Sequence, residues 1–169
     1  HLVSEFEKFK SHYIRFSTKP FDFLNIQAGL GTGNEIAYRE EIPELGDRFS
    51  FNTSIEVTLN NNLRIKPSVN FSKLKKLDSQ EYFFDGYIAR FDIRYQFTSS
   101  LNLRVISEYN EFSDQFFVQP LISWRPNSDT IFYLGGNQNY IDEFVDYNSP
   151  NYRVNKSQLF LKFQYLIKS

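Results

Sequence analysis

Residues 87–97 read YIARFDIRYQF. Tyr87, Ala89, Phe91, Ile93, Tyr95 and Phe97 take the odd positions, and Ile88, Arg90, Asp92, Arg94 and Gln96 the even ones. A strand is the regular element that sends alternate side chains to opposite faces. The pattern therefore predicts a strand with one apolar, aromatic face and one face bearing three charges in a row.

The same period recurs on both sides of this stretch. A weak first strand sets His12, Ile14 and Phe16 against Tyr13, Arg15 and Ser17, and Lys19-Pro20 is expected to turn the chain. Residues 21–31 follow with Leu24, Ile26, Ala28 and Leu30 on one face, then a long polar connection over 32–48. A third strand, 49–59, alternates Phe49, Phe51, Thr53, Ile55, Val57 and Leu59 with polar residues, and Asn60-Asn61-Asn62 makes a tight turn because Asn tolerates positive φ. The fourth, 63–73, carries Pro67, which removes a ladder donor and suggests a bulge. A charged loop, 74–82, leads into the opening strand, and Thr98-Ser99-Ser100 leaves it. Strands over 101–111, 115–125, 130–140 and 157–168 complete the series, with a Pro126-Asn127-Ser128-Asp129 turn and a loop over 141–155.

Nine strands emerge, most about 10–12 residues long. A tilted membrane-crossing strand needs ~9–11 residues, while globular strands centre near ~5–6. Short turns near 18–20, 60–62, 98–100 and 127–129 alternate with longer loops at 32–48, 74–82 and 141–155. Together these predict an all-β, antiparallel, up-and-down transmembrane barrel of the bacterial outer membrane, with the C-terminus periplasmic. Such barrels have even strand numbers, and residues 1–10 (HLVSEFEKFK) are no signal segment. The expectation is one segment over residues 1–169, the C-terminal part of a longer chain and of a larger barrel; the alternative is a count off by one, since eight strands would close a small barrel by themselves.

Composition agrees with this reading. Aromatics reach 18%, with 19 Phe and 11 Tyr, a larger share than in most soluble domains. Mean hydropathy is −0.46, but barrel strands dilute every apolar residue with a polar one, so that value does not speak against a membrane. No run of 18 apolar residues offers a spanning helix. A net charge of −1 gives no global field toward nucleic acid, and the absence of cysteine removes disulfide, thiol and cysteine–metal chemistry.

The C-terminal half also carries a resemblance. YIARFDIRYQFTSSLNLRVISEYNEFSDQFFVQPLISWRPNSDTIFYLGGNQ and the terminal NKSQLFLKFQYLIKS resemble the barrel region of a Bacteroidota outer-membrane family of unknown function. Members are often fused to a carbohydrate-binding module of the family-nine type. The matching features are RYQFTSSL, SWRPNSDTIFYL and LKFQYL, within residues 84–169. The Ile167-Lys168-Ser169 ending departs from the aromatic or Arg near the end of many members. The resemblance implies a longer parent with an N-terminal module and no enzymatic residues.

Candidate residues divide by face. Arg64, Lys66, Arg90, Asp92, Arg94, Arg104, Glu108 and Lys162, with Arg15 and Glu56, are expected to line a wet lumen. Charges in a dry core would not survive unpaired; cross-strand pairing that merely stabilises the barrel is the competing reading. Tyr87, Phe91, Ile93, Tyr95, Phe97, Leu161, Phe163 and Tyr165 are expected to meet lipid. Phe21, Phe23, Phe97, Trp124, Tyr133, Tyr140 and Tyr165 near strand ends are candidates for interfacial girdles, against the alternative of a sandwich core.

Enzymatic signals are thin. His1 and His12 are the histidines, and nothing locates a triad partner for His12. Glu40-Glu41, Asp142-Glu143 and Asp146 read as solvated loop acids rather than a calcium site. Gly29-Leu30-Gly31-Thr32-Gly33 has no following helix and is no phosphate loop. The expected function is non-enzymatic and cofactor-free: passage of a polar solute, or membrane anchoring of an attached module. The alternatives are a scaffold subunit of a larger outer-membrane complex with a plugged lumen, and a barrel-embedded hydrolase. Expected partners are outer-membrane lipid and the barrel-insertion machinery, reached through the last strand, and not nucleic acid.

Overall fold

A computed structural model of the chain describes residues 9–38, 43–60, 62–142 and 152–167. Nine strands run through them: β1 (Ser11–Phe21), β2 (Leu24–Ala37), β3 (Glu44–Leu59), β4 (Leu63–Lys76), β5 (Tyr82–Gln96), β6 (Leu101–Asn110), β7 (Gln115–Asn127), β8 (Thr130–Asp142) and β9 (Tyr152–Tyr165). They form one sheet in chain order, each antiparallel to the next. The sheet is open: β1 and β9 are its two edges.

Among the described residues no second layer covers either face. Ala37, Leu74 and Ile106 are the buried hydrophobic residues among those described. The accessible surface is 12879 Å², against roughly 8,700 Å² for a compact soluble protein of 20.1 kDa. A sandwich would bury one face of each sheet against the other. This sheet leaves Phe16, Leu30, Phe51, Phe91, Ile122, Trp124, Leu161 and Phe163 exposed.

Strand formation follows from the alternation, with β-branched and aromatic residues filling the apolar face. The turns are locally made. Asn60 adopts positive φ (51°). Asn62 Nδ2 donates to the Gln96 carbonyl at 2.9 Å. Thr98 Oγ1 accepts from the Ser100 and Leu101 amides at 3.2 and 3.0 Å. Asn127 Oδ1 accepts from the Asp129 amide at 3.1 Å. Between β6 and β7 a single 3-10 turn (Glu111–Ser113) is capped by Asn110 and ends on Asp114 at φ 48°.

Several expected boundaries are corrected. The connection expected over 32–48 is largely strand, since β2 continues to Ala37 and β3 starts at Glu44; the loop expected over 74–82 is shorter, since β4 runs to Lys76 and β5 starts at Tyr82. The ladder persists there although positions on the otherwise apolar face become polar (Thr32, Asn34, Asp47, Lys75), which weakens the amphipathic contrast. Lys19-Pro20 is not the turn. It lies inside β1 at a register shift between Thr18 and Phe21, and the chain reverses after Phe21; an edge strand tolerates the missing donor. Pro126 likewise stays in β7, at the shift between Trp124 and Asn127. Pro67 makes no bulge: pairing with β3 lapses between Ser54↔Ser68 and Val57↔Ile65 without a change of register. Pro120 does the same toward β8, between Val118↔Gln138 and Leu121↔Gly135. The expected loop over 141–155 falls partly outside the described residues, but β8 reaches Asp142 and β9 begins at Tyr152.

Candidate functional site: two unlike faces of one sheet

Register assigns every strand residue to a face. Arg64 and Lys66 on β4 oppose Arg94 and Asp92 on β5, and Arg90 and Arg94 oppose Glu108 and Arg104 on β6. Following the pairing through Asn102↔Ser123, Ser123↔Tyr133 and Tyr133↔Lys162 puts Lys162 on this same face. The eight residues singled out as lumen-lining thus share one face. Tyr87, Phe91, Ile93, Tyr95, Leu161, Phe163 and Tyr165 share the other, and Phe97, just past β5, packs edge-on against Tyr95 at 4.7 Å between centroids.

One cavity of about 360 Å³ lies at the charged face, lined by residues from five neighbouring strands and a turn, including Thr58, Arg64, Arg94, Arg104 and Ser123. A second cavity, about 530 Å³, lies toward the opposite ends of β1–β4 and includes Tyr13, Arg48, Ser50, Asn52 and Asn70.

Ion pairs knit this face across strands. Asp92 accepts from Arg94 Nε at 3.1 Å and from Arg104 at 3.4 Å. Arg90 meets Glu108 at 3.3 Å, Arg64 meets Glu56 at 3.6 Å, and Arg48 meets Glu35 at 3.0 Å. Arg15 lies over the Tyr13 ring at 5.6 Å, and Lys162 over the Tyr133 ring at 5.7 Å. Tyr133 is therefore no girdle residue; Phe132, its neighbour, faces the apolar side with Trp124. Of the strand containing Gly29, Gly31 and Gly33, the first two lie beneath Tyr13, whose hydroxyl accepts from Asn52 Nδ2 at 3.1 Å. These glycines make room for a ring.

The charged face also has apolar islands that alternation alone did not flag. Phe160 on β9 lies across Gly135 on β8, beside Leu121 of β7. Ile106, nearly inaccessible at 3%, opposes Gln119. At the other end Leu74 is 1% exposed and opposes Phe84, which meets Phe112 edge-on at 6.0 Å. Phe112 in turn lies against Gly86.

The apolar face shows two aromatic rows. One runs Phe51↔Phe71↔Tyr87, steps by one dipeptide to Tyr109, and continues ↔Phe116↔Tyr140. The other, at the short-turn ends, holds Tyr95, Phe97, Trp124, Phe132 and Phe163; Trp124 stacks on Phe132 at 5.3 Å, and Phe132 contacts Phe163 at 5.1 Å. Tyr87 and Tyr95, Phe116 and Trp124, and Phe132 and Tyr140 are each eight positions apart. That is roughly 27 Å along a strand at ~3.4 Å per residue. Between the rows the outer residues include Ala89, Phe91, Ile93, Val105, Val118, Pro120 and Leu134. Beyond the first row polar residues (Thr32, Asn34, Asp47, Lys73, Asp85) mix with Ile36, Leu45 and Phe49 on this face, and Lys73 lies over the Phe49 and Tyr82 rings at 5.7 and 5.5 Å.

The acidic candidates Glu40, Glu41, Glu143 and Asp146 lie outside the described residues. His12 opposes Thr32 on the apolar side of β1, away from the charged cluster. Comparison with protein-family models, with curated proteins and with solved structures found no match.

Proposed function

We propose that this sheet is part of an outer-membrane β-barrel, with its aromatic face against lipid and its charged face lining a water-filled lumen. The short-turn ends and the C-terminus are periplasmic, and the long-loop ends project outward. Its role is non-enzymatic: passage of a polar solute, or anchoring of an attached module in the membrane. The exposed edge of β9 is the strand offered to the barrel-insertion machinery.

One observation carries this reading. Two aromatic rows bound an apolar band on one face, while every expected lumen charge lies on the other. With strands tilted ~35–45°, a spacing of roughly 27 Å along the strand becomes a band of ~20 Å, close to the ~25 Å of outer-membrane barrels flanked by aromatic girdles. The exposed surface then needs no second sheet, because lipid covers it. Continuation of the ladder past the row of Phe51, Phe71 and Tyr87, where Asn34, Asp47, Lys73 and Asp85 enter the apolar face, fits strands that rise out of a membrane into loops.

The test is electrophoretic. The full chain extracted in mild detergent is expected to migrate differently before and after boiling, as intact barrels do. Identical migration would sink the barrel reading. A second reading, a scaffold whose lumen is filled, is favoured by Phe160, Leu121 and Ile106 on the charged face. Planar-bilayer recording separates the two, since a folded but silent barrel removes passage and leaves the scaffold.

A further inference from the structure

Three arginines occupy one rung of the sheet. Arg64 on β4 directly opposes Arg94 on β5, and Arg94 directly opposes Arg104 on β6. Like charges placed directly opposite destabilise a sheet. The rung therefore carries a cost that stability does not explain.

Its compensation is partial. Lys66, opposite Asp92, adds a fourth cation to the cluster. The carboxylates that reach it are Asp92, shared by Arg94 and Arg104, and Glu56, which meets Arg64 at 3.6 Å. Four positive groups thus face two negative ones. The whole chain is at −1, so the excess is local.

The geometry opens that excess to a cavity. All three arginines line the space of about 360 Å³, together with Asn62, Gln96, Asn102, Thr58 and Ser123. No carboxylate is among the described residues that line it. Asp92 and Glu56 lie farther up their strands, so the guanidinium groups front the cavity and the acids hold them from behind. Arg104 Nε is enclosed and has no acceptor among the described residues. The cavity is near the short-turn mouth, where Asn62 and Gln96 join two turns by a hydrogen bond of 2.9 Å.

Guanidinium forks match the paired oxygens of carboxylates and phosphates. A recess lined by one sign of charge also concentrates the field on a small counter-ion. We propose that the Arg64–Arg94–Arg104 rung is a binding site for a small solute bearing a carboxylate or phosphate group. Within the barrel reading above, on which this second step rests, such an oxyanion is the solute class selected at the periplasmic mouth. Asp92 tunes the site by competing with the ligand for Arg94 and Arg104.

The probe is inorganic phosphate, titrated calorimetrically into the full chain in detergent at low ionic strength; acetate in a parallel arm separates phosphate from carboxylate preference. Binding of at least one of the two is expected, weakened about tenfold or more in the R94Q/R104Q double variant. Asp92→Asn is expected to tighten it, an opposite-signed change that misfolding cannot imitate. Lys73→Gln, on the other face, should leave it unchanged. Absence of binding by either anion overturns the site, as does a loss shared by Asp92→Asn or by Lys73→Gln. Bilayer recording keeps the two proposals apart: anion binding without current removes passage and retains the site, whereas current without anion binding removes the site and retains passage.

Discussion

The Phe160 ring lies across Gly135, its register partner on β8, so closely that a Cβ on the glycine would fall 2.5 Å from the ring's Cζ. This contact fastens the edge strand β9 to the charged face of its neighbour. Gly135→Val should push the ring away and cost about 1–3 kcal/mol by overpacking. Urea unfolding of the micelle-bound protein measures it. Phe160→Ala should be milder, because the residue is 41% exposed and its loss leaves no sealed cavity.

Phe91 lies midway between Tyr87 and Tyr95 on the apolar face. Phe91→Arg should therefore cost ~2–4 kcal/mol if that depth is the centre of a bilayer. Asn70→Lys, an exposed position on the charged face, should cost less than about 0.5 kcal/mol. Equilibrium folding into bilayers compares them. Equal costs would contradict the lipid assignment.

Trp124 is the single tryptophan of the chain and lies in the short-turn aromatic row. Its fluorescence should be quenched by lipids brominated close to the headgroup. Lipids brominated near the chain ends should quench it less, and aqueous iodide hardly at all. Quenching by iodide alone would place this row in water.

Arg90 and Glu108 face each other at 3.3 Å with side chains 39% and 20% exposed. A double-mutant cycle with Arg90→Gln and Glu108→Gln should give a coupling of about 0.5–1 kcal/mol, reduced by added salt. A coupling insensitive to salt would mean that this part of the face is dry.

Much of the fold was legible because a two-residue period reports a strand and its faces at once. The strand of Tyr87 to Phe97 showed both faces, and the structure separates Arg90, Asp92 and Arg94 from Phe91, Ile93 and Tyr95 in that way. Strand ends were less legible. Past Phe71 and Phe49 polar residues enter the apolar face, so Asp47 and Lys75 read as loop while their backbones stay paired in the ladder. Tyr133 was misplaced because Gly135 and Gly136 interrupt the pattern next to it, leaving the face of YLGG unmarked. The arginine rung depends on register between residues far apart in sequence. Folding the chain about Ser99 would have found half of it, since Arg94 and Arg104 are equidistant from that residue. Arg64 has no such local cue.

Pro67 and Pro120 both lie on the apolar face at mid-height, and each suspends pairing on one side without altering register. A sheet yields most readily where its rungs are missing. Two such gaps stand at mid-height, one between β3 and β4 and one between β7 and β8. Changes in curvature are expected to find these gaps first, and the charge cluster of Arg90, Asp92, Arg94, Arg104 and Glu108 lies on β5 and β6, between them.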